Sequence, residues 1–123
     1  MTNFIETLVS ALATAEGFFA ADPHVSPRRN HNPYNLRAAP WLKNATVKGG
    51  FWVAECDAQG IAGAYHQVAL DIARGMTLRE MCNKNTPPSD NNNTELYIRE
   101  TARRCGIDAD KPMQEYLEIH KIP

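Results

Sequence analysis

The chain holds 123 residues with 13 lysines and arginines against 14 acids, a formal net charge of -1. That length supports one hydrophobic core without disulfide or metal staples. The charge balance excludes a protein held chiefly by bulk charge to nucleic acid or anionic lipid, and no apolar run approaches transmembrane length.

Phe4, Ile5, Leu8, Val9 and Leu12 recur at three- and four-residue intervals and predict a helix from Thr2, as N-cap, to Glu16. Glu16 takes the next position on that apolar face, and Gly17 follows it. A carboxylate at the end of an apolar stripe is partly desolvated and lies at the negative end of the helix dipole. Both effects disfavour its charged form. Such a group keeps its proton nearer neutral pH, the state a general acid needs. Taken from the helix alone, a solvated last-turn glutamate is the competing reading.

From Phe19 to Gly50 the chain carries Pro23, Pro27, Pro33 and Pro40 and many asparagines, and no helical period persists. Long irregular segments within a domain tend to be functional. Phe51 to Asp57 reads as an extended segment or one arm of a small hairpin. A helix is predicted from Gln59 to Arg74, with Ile61, Tyr65, Val68, Ala69 and Ile72 on one face and Gly75 closing it.

Thr77-Leu78-Arg79-Glu80 is a capping-box pattern opening a short helix through Met81 and Cys82. Pro87-Pro88 stops it, and Ser89 to Asn93 is a polar turn. Thr94 to Cys105 reads as helix, with Leu96, Ile98, Ala102 and Cys105 among its apolar positions and Gly106 after its end. Asp110 precedes a last helix in which Met113, Tyr116 and Leu117 have buried spacing. No internal repeat occurs. The fold class is mainly α: a helical bundle with a small β-hairpin or extended element, in one domain over 1–123.

Cys56, Cys82 and Cys105 form no CxxC pair and read as reduced, semi-buried residues. His24 and His31 share a loop, but no HxxxH or HExxH spacing supports a metal, and no glycine-rich loop suits phosphates. No cofactor is expected.

The densest polar cluster is Arg28-Arg29-Asn30-His31-Asn32-Pro33-Tyr34-Asn35-Leu36-Arg37. Asparagine amides can bind hydroxyl and acetamido groups bidentately, while Tyr34 and Trp41 offer flat faces to sugar rings. Arg29 and Arg37 can pair with carboxylates. The competing reading is that Asn30 and Asn32, beside proline, cap their own backbone as turn residues.

Ala15-Glu16-Gly17-Phe18, Arg29 to Leu36, Gly60-Ile61-Ala62 with Tyr65 and Gln67, Pro87-Pro88, Asn92-Asn93-Thr94 and Tyr97-Ile98 occur in that order. This ordered set resembles the small phage and bacterial peptidoglycan hydrolases of the lysozyme-like superfamily, in their muramidase or lytic-transglycosylase branch. It covers roughly residues 10 to 117, and its order and spacing, rather than any one motif, carry it. The pattern usually has asparagine where His31 stands and glycine where Tyr34 stands, so a left-handed backbone at Tyr34 would be strained.

The resemblance implies a lysozyme-like α+β domain beside a substrate cleft, with Glu16 protonating the glycosidic oxygen between N-acetylmuramic acid and N-acetylglucosamine. It implies that Tyr97 faces the cleft to steady Glu16 or the substrate, and that Gln67 and Asn92 contact sugar. A core tyrosine at Tyr97 and an exposed helix residue at Gln67 are the competing readings.

Glycosidases usually use two carboxyl groups. Asp22, Glu55 and Asp57 are the candidates for a second; Glu55 and Asp57 share a parity in the extended segment, which is also how a solvent face would look. A single acid fits better, with the substrate's acetamido or 6-hydroxyl group completing hydrolysis or a 1,6-anhydro product.

Peptidoglycan is thus the expected partner of a monomer, with no nucleic acid and no stable membrane insertion. The N-terminus lacks a secretory signal, so the expectation is synthesis in the cytoplasm. Action would follow in the periplasm or cell wall after phage lysis, virion delivery or export. The rivals are a non-catalytic wall- or virion-associated glycan binder and a helical nucleic-acid or assembly module using Arg28, Arg29 and Arg37.

Overall fold

Asn3, not Thr2, caps the first helix: its side-chain oxygen accepts the Glu6 N–H at 2.8 Å, and α1 runs Phe4–Glu16. The computed structural model describes residues 3–19, 22, 24–37, 41–42, 45–87 and 93–119. At the other end Gly17 adopts φ 84°, and the N–H groups of Gly17 and Phe18 close back onto Thr14 and Ala13. That left-handed turn, open to glycine at no steric cost, reverses the chain and buries Phe18.

The proline-rich stretch holds one helical turn that its lack of periodicity concealed. It is α2, Ser26–Arg29, with Pro27 in the first turn, where the missing N–H costs nothing. Beyond it β1 (Thr46–Lys48) and β2 (Phe51–Val53) pair antiparallel, with Val47 opposite Trp52. Gly49 and Gly50 connect them at φ 59° and 86°, the left-handed pair that a tight hairpin demands. The extended segment ends at Val53. Glu55 and Asp57 therefore share no strand face, and Asp57 opens the next helix.

That helix, α3, spans Asp57–Ala73, and its buried face keeps Val68 and Ile72 of the predicted one but not Ile61 and Tyr65. Ile61 and Tyr65 lie exposed, while Gly60, Gly63, Ala64, Gln67, Val68, Asp71 and Ile72 face inward. The reason is close approach. A Cβ on Gly60 would stand 1.7 Å from the His31 carbonyl oxygen, and one on Gly63 would stand 2.4 Å from the Trp52 ring. Small residues let α3 settle on the 31–33 loop and the hairpin, and Ile61 and Tyr65 turn outward.

Helix α4 (Leu78–Asn85) opens on the predicted capping box of Thr77 and Glu80. Helix α5 spans Thr94–Cys105 between the Asn93 cap and Gly106, with Ile98, Thr101 and Cys105 buried and Leu96 outside. The last helix starts later than predicted. α6 covers Glu115–Ile119; Met113 is buried before it, and Asp110, not its cap, holds Arg79 at 2.7 Å.

The fold is mostly helical with one small antiparallel sheet. Helix α1 packs between α5 and α3. Phe4, Leu8, Leu12, Val68, Leu78, Met81, Ile98 and Met113 make the core, each side chain stabilising by about 1.5–3 kcal/mol on burial. Cys82 and Cys105 are buried, Cys56 is exposed, and all three are free. Among the described residues no helix is long and apolar enough to cross a membrane.

Candidate active site

Three elements converge on the last turn of α1. Tyr97 comes from α5, Cys82 from α4, and Tyr34 from the loop after α2, and all three interact electrostatically with Glu16. Burial pushes the Glu16 carboxyl up to about 7, and the Tyr97 hydroxyl, which favours the charged form, only partly offsets this. No cation pairs with Glu16 among the described residues. The surrounding groups are neutral, and burial, with the neighbouring Glu16 carboxyl adding to it, pushes the Cys82 thiol up to about 12. Burial likewise holds the Tyr34 and Tyr97 phenols well above their ordinary range.

The Tyr97 hydroxyl is buried without a well-formed hydrogen bond, leaning toward both Glu16 and Thr86. A buried hydroxyl left under-satisfied is costly and marks a place where a polar group can still be received.

A second buried carboxylate lies behind this wall. Asp71 on α3 is fully buried and is gripped by Lys84, by Arg74 at 3.2 Å, by the Gln67 amide at 3.2 and 3.3 Å, and by the Asn85 amide at 2.9 Å. The same Asn85 amide donates to the Tyr34 hydroxyl at 3.4 Å. Gln67 also accepts the Trp41 indole N–H at 2.9 Å. Asp71 is thus saturated and closed to solvent, a structural hub rather than a second catalytic acid. Sequence reasoning missed it, although Gln67 and Asp71 share the helical stripe of Ala64, Val68 and Ile72. Polar residues at core spacing were the available signal.

The predicted sugar-binding loop does different work. Asn32 is fully buried, its amide N–H donating to the Leu36 and Trp52 carbonyls and its oxygen accepting the Leu36 N–H, all at 2.9 Å. No polar atom of it remains for a ligand, and it binds the loop to β2. Asn30 is buried too; its side chain donates to Ser26 and its carbonyl accepts from Ala54. The Tyr34 ring is core, not a sugar platform, and Gln67 is neither exposed nor open to substrate. The turn reading of these asparagines is the correct one, because the loop has no other way to satisfy its buried backbone.

The left-handed positions are His31 and Asn35, each at φ 51°, and Tyr34 escapes that strain. Asn35 accepts from Ser26 at 3.3 Å, and exposed Arg29 reaches the His24 carbonyl at 3.4 Å. Arg37 lies 4.4 Å from the Phe51 ring centroid as a cation–π contact. Asn92 lies outside the described residues.

The candidate second acids have other partners. Asp22 is exposed and accepts the His24 N–H at 2.9 Å; Asp57 pairs with His31 at 2.7 Å; Glu55 is exposed, with its backbone N–H held by Gln59. The open aromatic surface is elsewhere. Phe19 and Tyr65 border an apolar groove of about 180 Å³ between α1 and α3, floored by Val9, Ala13 and Pro33. On the opposite side of α1, Tyr97 and Ala15 line a groove of about 350 Å³ against α5.

Compared with protein-family models, with curated proteins and with solved structures, the chain matches none.

Proposed function

We propose that the protein is a lysozyme-like enzyme cleaving the glycan strands of peptidoglycan between N-acetylmuramic acid and N-acetylglucosamine, with Glu16 as the sole general acid. One observation carries this reading: a half-buried carboxyl without a cation, raised to about 7, at the junction of three elements. A surface glutamate is ionised at neutral pH and cannot donate a proton, whereas this one can. The ordered resemblance of Glu16-Gly17, Asn32-Pro33 and Asn93-Thr94 with Tyr97 to peptidoglycan hydrolases supplies the substrate class.

Glu16 donates its proton to the glycosidic oxygen as the bond to the muramic C1 breaks. Asp71 is sealed, Asp22 accepts from His24 and Asp57 pairs with His31, so the substrate completes the step. Its acetamido oxygen, followed by water, gives hydrolysis; its 6-hydroxyl gives the anhydro sugar and returns a proton to Glu16.

Purified protein should solubilise peptidoglycan, and E16Q should lose at least ~10²-fold in rate. Wild-type-like activity in E16Q removes Glu16 as the acid. Absence of activity in the wild type favours a glycan-binding protein instead. Mass spectrometry of the fragments separates hydrolysis from anhydro formation by the mass of one water.

A further inference from the structure

Thr86 closes α4, and its backbone is held on both sides. Its N–H donates to the Cys82 carbonyl at 2.7 Å, and its carbonyl accepts the Thr94 hydroxyl at 2.8 Å. The end of α4 is thereby tied to the first residue of α5. Neither bond uses the Thr86 side chain. That hydroxyl is buried without a full hydrogen bond, in a residue only 3% exposed. A valine would fill the same space and bring no polar atom to satisfy, so stability alone does not account for the hydroxyl.

Its neighbour does account for it. Thr86 lies against the Tyr97 hydroxyl, which is buried and under-satisfied in the same way. It favours negative charge on the Tyr97 oxygen, which is the action of a donor. The Tyr97 hydroxyl acts on Glu16 in the same sense. A phenolic hydroxyl has one proton to give and can turn it to either side in the plane of its ring. A donor at the Tyr97 oxygen therefore decides which way that proton points, and a chain of hydroxyls strengthens each bond in turn. The other titratable groups acting with Glu16 among the described residues are Cys82 from α4 and Tyr34 from the loop after α2, and both stay neutral. The carboxylate formed when Glu16 gives up its proton thus has the Tyr97 hydroxyl as its polar support.

We propose that Thr86 is a positioning residue of this site: its hydroxyl donates to the Tyr97 oxygen and thereby aims the Tyr97 proton at the Glu16 carboxylate. The proposal rests on the glycan-cleavage reading for its consequence in catalysis, but the titration of Glu16 tests it without any substrate.

The first measurement is a carbon-detected NMR titration of the Glu16 carboxyl in the full chain. T86V should raise its midpoint by about 0.3–0.5 pH unit, and T86S, which keeps the hydroxyl, should restore it. T86A repeats the comparison with a smaller side chain. T101V is the control, since it also removes a buried, unpartnered hydroxyl and should leave Glu16 where it is. In a Y97F background T86V should add no shift, because the hydroxyl it acts through is gone. Urea unfolding at pH 4 should find T86V at least as stable as wild type, which a merely structural threonine would not allow. The second measurement is the pH profile of peptidoglycan cleavage, whose alkaline limb should move up in T86V by the same amount as the titration. An unchanged Glu16 midpoint in T86V and T86A, or an equal shift in the Y97F background, overturns the proposal. The expected titrations in a wild type that cleaves no glycan keep Thr86 in its place and overturn the cleavage reading.

Discussion

The Tyr97 hydroxyl on α5 faces the Glu16 carboxyl at the end of α1 and favours its charged form, against the burial that favours the proton. This opposition sets where Glu16 titrates. Removing the hydroxyl in Y97F should raise the Glu16 pKa further above about 7, by about half to one pH unit, the worth of one weak hydrogen bond. A carbon-detected NMR titration of the Glu16 carboxyl reads this directly. A downward shift would mean that the hydroxyl does not act on the carboxylate.

Glu16 should also cost the protein stability as pH rises. Its folded pKa is raised, from 4.5 to about 7, so between those values the unfolded chain releases a proton that the native state keeps. The unfolded state then binds fewer protons, and stability falls as pH climbs through that window. At about 1.4 kcal/mol per pH unit the loss is bounded at about 3 kcal/mol, less in so far as water reaches this partly buried group. E16Q cannot lose that proton. Urea unfolding should find E16Q and wild type alike at pH 4, and E16Q more stable by about 1–3 kcal/mol at pH 8.

Gly60 is required for space, not for backbone freedom. An alanine methyl there meets the His31 carbonyl at 1.7 Å, and backbone cannot step aside as a side-chain tip can. G60A should destabilise by about 3 kcal/mol or more, seen as a lowered melting temperature. A melting temperature within a degree of wild type would show that α3 does not rest on this loop.

Asp71 collects two cations and two amides in a site closed to water. D71N keeps the shape and removes the charge, leaving Lys84 and Arg74 without their counterion. Both cations are partly exposed, so water recovers some of the loss, and the expected cost is about 2 kcal/mol rather than the larger cost of a fully buried broken pair. Chemical denaturation measures it. An unchanged midpoint would reduce the hub to incidental packing.

Local rules made much of the fold legible. Gly17 and Gly106 end α1 and α5 because the left-handed conformation there is glycine's, and Thr77 with Glu80 opens α4 through bonds made within four residues. The hairpin turn at Gly49-Gly50 follows the same logic. What failed were inferences about faces. The apolar pattern put Ile61 and Tyr65 inside, but α3 presses its glycines against His31 and Trp52, so burial there follows backbone proximity rather than hydrophobicity.

The sequence by itself determined where α1 and α5 stop, where α4 starts and that Glu16 closes an apolar stripe, since these depend on neighbours within a turn. Only the tertiary structure decided what surrounds that carboxyl. Tyr97, Cys82 and Tyr34 come from three separate elements, and their joint exclusion of water raises Glu16 to about 7. The tertiary structure also turned Asn32 and Tyr34 from surface candidates into interior supports, because the loop that carries them is buried and must satisfy its own polar groups.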